Sequence, residues 1–163
     1  LLNTSSLSKK IKFVAMGNGP LLNEYRKHAE KSNIYFEFTG ALPYEIMVGK
    51  LCSCDAVINC LRPGAAQSIT NKVGDYALSG LPVINTQENP EYRKLVEATQ
   101  CGINCECGNA EDVAAAIVKL AQSPELRKEM GEAARQLGQD KFDRRYTYTK
   151  IIEAVENLGN TKK

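Results

Sequence analysis

The sequence predicts an α/β fold, a parallel β-sheet with helices on both faces, and three observations predict it. Short apolar runs alternate with stretches of helical period between residues 11 and 106. The glycine-bearing loops at residues 17–19, at Gly40 and at Gly64 each follow a strand, so they converge on one rim of the sheet. After residue 106 the pattern is helical only. A chain of 163 residues has single-domain length and can bury a proper core.

Each element carries its own signal. Residues 1–10 are polar and serine-rich, the tail of a helix or a loop. IKFVAM, residues 11–16, reads as a buried strand that ends in Gly17-Asn18-Gly19-Pro20. A helix over 21–32 follows, with Pro20 in its first turn. A strand over 34–39 ends at Gly40, Ala41 and Leu42, and Pro43 and Glu45 begin a helix carrying Ile46 and Leu51. Asp55 leads into a strand over 56–61. The central stretch, RPGAAQSITNKVGDYALSGLPVINT (62–86), then supplies a small-residue loop, a helix and a strand over 81–86. That helix opens between Ser68 and Asn71 and closes at Gly80. Asn89-Pro90-Glu91 starts the next helix, with Tyr92, Leu95 and Val96 inward, and a short strand spans 102–106. Asn109 caps a helix with a buried stripe of Val113, Ile117 and Leu120, and Ser123-Pro124-Glu125 starts another with Leu126, Met130, Ala133 and Leu137. A last helix over 145–158 carries Ile151, Ile152 and Val155, and Tyr146 and Tyr148 read as packing residues. Residues 159–163 are expected to fray.

Composition excludes several classes. A hydrophobic fraction of 43% with 25% charged residues is that of an ordinary soluble domain. A net charge of +2 is too small to imply nucleic acid or an anionic membrane as partner. No apolar run reaches membrane-spanning length, and no signal segment opens the sequence. The six cysteines (52, 54, 60, 101, 105 and 107) do not repeat zinc-pair spacing, and the single histidine, His28, lies on the first helix. They read as reduced thiols, some buried as small hydrophobes, and no metal is expected.

The chemistry concentrates in the central stretch. The first N–H groups of a helix make an anion site, and a small-residue loop lets a ligand approach the backbone. Lys72 and Asp75 stand three residues apart, hence on one helix face. An ammonium beside an amide cluster suits a phosphate, and a carboxylate one turn on suits sugar hydroxyls. The bland alternatives are a solvated Lys72, an Asp75 paired with it, and Thr70 and Asn71 as helix caps. Residues 40–42 can likewise be simply the tight exit from a strand, and Arg62 lies near enough to the rim to reach a phosphate. A dinucleotide dehydrogenase is disfavoured, because the Gly-Asn-Gly-Pro turn lacks a third glycine and Glu37 stands in the next strand without support.

SITNKVGDYALSGLPVI, residues 68–84, resembles the donor-nucleotide signature of retaining GT-B-fold glycosyltransferases of the glycosyl transferases group 1 family. The shared pattern is a small-residue loop, an Asn-Lys pair, an acid-Tyr pair, then Ala, Gly, Pro and two β-branched residues, and the likeness extends over residues 12–158. It implies a single Rossmann-like donor-binding domain over 1–163, with a core at 10–140, a C-terminal helix at 141–158 and a frayed tail at 159–163. It also implies that the domain's central first strand, its glycine-rich loop and the acceptor-binding domain lie upstream of what is present. The chain is accordingly expected to be an N-terminally truncated half, inactive alone.

The same resemblance assigns roles. Lys72 is the catalytic diphosphate ligand, neutralising charge on the departing nucleoside diphosphate. Ser68, Ile69, Thr70 and Asn71 are donor-binding, the last three through backbone N–H groups. Asp75 falls where a ribose-binding glutamate is usual and is one methylene shorter. Gln67 replaces the family's first acid and cannot hold its charge. Gly40, Ala41 and Leu42 match the turn that meets the nucleobase. The implied reaction moves a sugar from a nucleoside-diphosphate sugar, such as a UDP-sugar, to an acceptor hydroxyl with retention, in polysaccharide or glycolipid synthesis. No cofactor or metal is implied, because helix dipole and lysine take over the cation's role. The implied partners are the sugar donor and the acceptor domain, with no nucleic acid, in the cytoplasm. Membrane association would come only through the missing half, at the inner face. The competing readings are a nucleotide-sugar epimerase fragment and a non-catalytic nucleotide-binding or regulatory domain.

Overall fold

The computed structural model describes residue 2, residues 6–65 and residues 69–160. Strands and helices alternate as the sequence predicts, in the order β1 (Lys12–Met16), α1 (Leu22–Glu30), β2 (Tyr35–Gly40), α2 (Tyr44–Cys52), β3 (Val57–Asn59), α3 (Lys72–Ser79), β4 (Val83–Asn85), α4 (Pro90–Thr99) and β5 (Gly102–Asn104). Three helices close the chain: α5 (Ala110–Gln122), α6 (Pro124–Leu137) and α7 (Arg144–Asn160). The three strand ladders of the described residues are parallel, as crossover helices require, and an isolated antiparallel bridge joins Gly17 to Gly40.

The expected single sheet comes in two parts. β1 pairs with β2, and β3, β4 and β5 pair in that order. Among the described residues no ladder joins one part to the other. Between them lies an apolar cleft of about 480 Å³, lined by Phe13 and Phe36 on one side and by Ile58, Leu61, Val113 and Ile117 on the other.

The three-stranded sheet is covered on both faces because its residues alternate with period two. Val57 and Val83 enter one core with Val73 of α3, Tyr92 and Val96 of α4 and Leu137 of α6. Ile58, Ile84 and Ile103 enter the other with Ala116 and Leu120 of α5 and Met130 of α6. Side chains cap the helices where the sequence placed caps. Asn89 accepts from the Tyr92 N–H, Asn109 from those of Glu111 and Asp112, and Ser123 from that of Leu126.

Several expectations are corrected. Pro20 lies in the turn ahead of α1, whose N-cap is Leu21, because the Leu22 N–H is already turned back onto the Gly19 carbonyl. Ile46 is exposed, while Leu51 joins the core. A π-helical turn at Gly138–Phe142 precedes α7. The two tyrosines read as packing residues are not: Tyr146 and Tyr148 are 61% and 54% exposed. Ile151, Ile152 and Val155 are exposed as well, because α7 projects past both cores. α7 continues to Asn160 rather than fraying at residue 159.

Two features of the C-terminal half can be tested. Gly131 lets α6 lie on the end of α3: a Cβ there would stand 2.4 Å from the Gly80 carbonyl oxygen. Gly131→Ala should therefore cost about 3 kcal/mol in a urea melt, since backbone rather than a flexible side chain must move. Asp143 holds the start of α7, accepting the Arg145 N–H at 3.0 Å and its guanidinium at 2.6 Å. Those bonds keep the Asp143 carboxyl below the usual carboxylate range. A carboxylate whose pKa is lower folded than unfolded gives its full stabilisation above the unfolded value and loses it as pH falls through the folded one. Hydrogen-exchange protection at the first turn of α7, measured against the intrinsic rate at each pH, should accordingly fall below pH ~4, and Asp143→Asn should abolish that acid dependence.

Candidate functional site

The carboxyl ends of β3, β4 and β5 are levelled by three asparagines in register, Asn59, Asn85 and Asn104. Asn59 Nδ2 donates to Asn85 Oδ1 at 3.0 Å, and Asn85 Nδ2 to Asn104 Oδ1 at 2.8 Å. Asn104 Nδ2 continues the row to the Arg93 carbonyl at 2.9 Å. Gln87, fully buried, closes it by donating its N–H to Asn85 Oδ1 at 3.1 Å and accepting from Asn59 at 3.3 Å. Buried amides are tolerated only when paired in this way. Two bonds then fix the loop after β3 to the loop after β4. The Leu61 N–H donates to Thr86 Oγ1 at 3.1 Å, and the Gly64 N–H to the Glu88 carboxylate at 2.6 Å.

The central helix opens on this rim, since α3 joins the end of β3 to the start of β4. It begins at Lys72, so its N-cap falls at the late end of the 68–71 opening that the sequence predicts. Asn71 stands at the N-cap position without a side-chain cap bond, and the Val73 N–H turns back to the Thr70 carbonyl at 3.1 Å. The capping role left open for Asn71 is therefore not taken up. Thr70 Oγ1 is buried without a hydrogen-bond partner among the described residues. Ile69 packs on the first core, and Lys72 is exposed and makes no ion pair among the described residues. Gln67 and Ser68 lie outside the described residues.

The turn at the end of β2 reaches the same region. Gly40 adopts φ +71°, a left-handed value suited to glycine, and its carbonyl accepts the Gly17 N–H at 2.7 Å. Ala41 is exposed and Leu42 half-buried. Two residues on, Tyr44 opens α2 and donates its hydroxyl to Asp75 Oδ1 at 2.9 Å. The bond ties the helix that follows the Gly40 turn to the face of α3 that carries Lys72 and Asp75. It also replaces the Lys72–Asp75 pair offered as the bland reading of Asp75. The Asp75 carboxylate pushes the Tyr44 phenol up from its ordinary value, so the hydroxyl stays protonated.

Other titratable groups are accounted for. Glu37 is held by Lys12 at 2.5 Å and Lys50 at 2.6 Å, so the acid of the dehydrogenase reading is engaged in a surface ion pair. Arg62 is exposed, and so is His28 on α1. All six cysteines are free. Burial pushes the Cys60 thiol up and that of Cys105 up to about 11, so neither is a thiolate at neutral pH. A polar cleft of about 450 Å³ beyond β4 and β5 is lined by Glu88, Glu106 and Asp112 against Arg93, with Asn104 and Cys107. Arg93 is itself committed to the Cys105 carbonyl at 2.9 Å. Three carboxylates make that cleft hostile to phosphate, and Lys72 and Asp75 line neither it nor the apolar cleft. No helix among the described residues is long and apolar enough to cross a membrane.

Known proteins resemble this chain in sequence and in fold. The profile of the family described as glycosyl transferases group 1 matches residues 2–123. An uncharacterized glycosyltransferase of Haemophilus influenzae is 30% identical over 101 residues, which are 62% of this chain and 27% of that protein. The crystal structure of WaaG, a glycosyltransferase involved in lipopolysaccharide biosynthesis, superposes with a TM-score of 0.62 at 18% identity, over 80% of this chain and 34% of WaaG. The chain thus spans about a third or less of the length of these two relatives. At that identity WaaG shows the fold alone, the GT-B architecture of parallel sheets and helices. With the family profile matched over well more than half of its length, the chain belongs to the glycosyl transferases group 1 family.

Proposed function

We propose that this chain is the donor-binding part of a glycosyltransferase that moves a sugar from a nucleoside diphosphate to an acceptor hydroxyl with retention at the anomeric carbon. The observation that carries the reading is the amino end of α3. It opens at the carboxyl ends of the strands with Lys72 beside it and Thr70 Oγ1 just before it, neither with a partner among the described residues, and with Asp75 one turn on. Buried hydroxyls seldom remain unsatisfied, and an anion at the helix mouth would satisfy this one.

On this reading the diphosphate lies at residues 69–72. The peptide N–H groups of Ile69, Thr70 and Asn71 and the Lys72 ammonium hold its oxygens and stabilise the charge that grows as the glycosidic bond breaks. That arrangement does without a metal or cofactor, because fixed dipoles and a cation already oppose the developing charge. Asp75 takes the ribose hydroxyls. Backbone atoms of Gly40, Ala41 and Leu42 take the base, close to Asp75 through Tyr44. Gln67 and Ser68 complete the donor loop. On this reading the acceptor site lies in another part of a longer enzyme, a reading that the greater length of the two relatives supports. The lipopolysaccharide role of WaaG makes a polysaccharide or glycolipid acceptor the favoured class. Binding is therefore the readout that suits this chain.

Calorimetry with uridine, guanosine and adenosine diphosphates should find one that binds, and Lys72→Ala should weaken it about tenfold, the effect of losing one charge-assisted contact. Lys72 is exposed, so the variant should keep its far-ultraviolet spectrum. Equal affinity in the variant would remove Lys72 from the phosphate site.

A further inference from the structure

Tyr44 and Asp75 are 31 positions apart, on the neighbouring helices α2 and α3, and their hydrogen bond is exposed. A bond between two solvent-facing groups adds little to folding, so its main physical effect is local. The Asp75 carboxylate rotates about two side-chain bonds, and the phenol fixes it in one setting. A carboxylate offers about four acceptor positions and Tyr44 occupies one of them. No other described donor bonds to Asp75, which leaves acceptor capacity in a carboxylate already oriented. Orientation before binding is what raises affinity, since the ligand no longer bears the cost of ordering the group.

We propose that Tyr44 is a positioning residue for ribose recognition, holding the Asp75 carboxylate so that its remaining lone pairs accept the ribose 2′- and 3′-hydroxyls of a nucleoside diphosphate. The proposal rests on the donor-site reading above and adds a residue to it. It also gives a physical reason why an aspartate can serve at this position. The side chain is short, and a neighbouring phenol does the aiming that the chain itself would otherwise leave to chance.

The test compares one ribonucleoside diphosphate, the tightest of the uridine, guanosine and adenosine forms, with its 2′,3′-dideoxy counterpart. Both are titrated calorimetrically into the wild-type chain, Tyr44→Phe, Asp75→Asn and the double variant. The wild type should favour the ribonucleotide about tenfold, and Tyr44→Phe should lose about fivefold for the ribonucleotide while leaving the dideoxy compound unchanged. The double variant should bind no more weakly than Asp75→Asn, as two groups acting through one contact require. Equal weakening of both ligands in Tyr44→Phe would mark a merely structural residue and overturn the proposal. An unchanged preference in Tyr44→Phe would overturn it as well. If the wild type binds the diphosphate but ignores the ribose hydroxyls, the proposal falls while the phosphate site stands. If it binds none of the diphosphates, the donor-site reading falls too.

Discussion

Three carboxamides, two of them buried and the third half-buried, set the level at which the main sheet stops. Asn59, Asn85 and Asn104 share one register line, and each uses its amide on the next. A slip of one residue in any of these strands would send that amide to the opposite face and leave its neighbours unpaired. The row therefore fixes the register of β3, β4 and β5 together. On the proposed reading, the phosphate site leaves from that line: Thr86 and Glu88 hold the backbone after β3, and that backbone leads to the mouth of α3.

Electrostatics divides the rim beyond this line into two territories. On the β5 side, Glu88, Glu106 and Asp112 surround an arginine already bonded to a carbonyl. On the α3 side, helix amides meet a lysine that makes no ion pair among the described residues. Only the second environment suits a diphosphate, and it is reached from the turn at Gly40 through the Tyr44–Asp75 bond. Packing supports the division, because Val73, directly after Lys72, is completely buried and sets the opening of α3 against the core.

What was legible in the sequence was local. Caps at Asn89, Asn109 and Ser123 depend on a few neighbouring residues, and the structure uses all three. The shared face of Lys72 and Asp75 follows from helical spacing alone. The asparagine row left a trace that went unread: β3, β4 and β5 all end in Ile-Asn. Tyr44 left no trace, because no spacing rule connects residues 31 apart. The tyrosines of α7 were misread since a stripe of helical period reveals that a face is apolar and not what covers it. Pro20 was misplaced because a proline just ahead of a helix fits a turn as well as a first helical position.

The contact between α2 and α3 has a mechanical consequence. Side chains, among them Tyr44, Asp75 and the buried Leu51, link the helix that follows the Gly40 turn to α3 and to the core beneath it. On the proposed reading a nucleotide would rest its base on one part and its phosphates on the other. It would then add to the contacts that hold the two parts together, and part of its binding energy would appear as resistance to their separation.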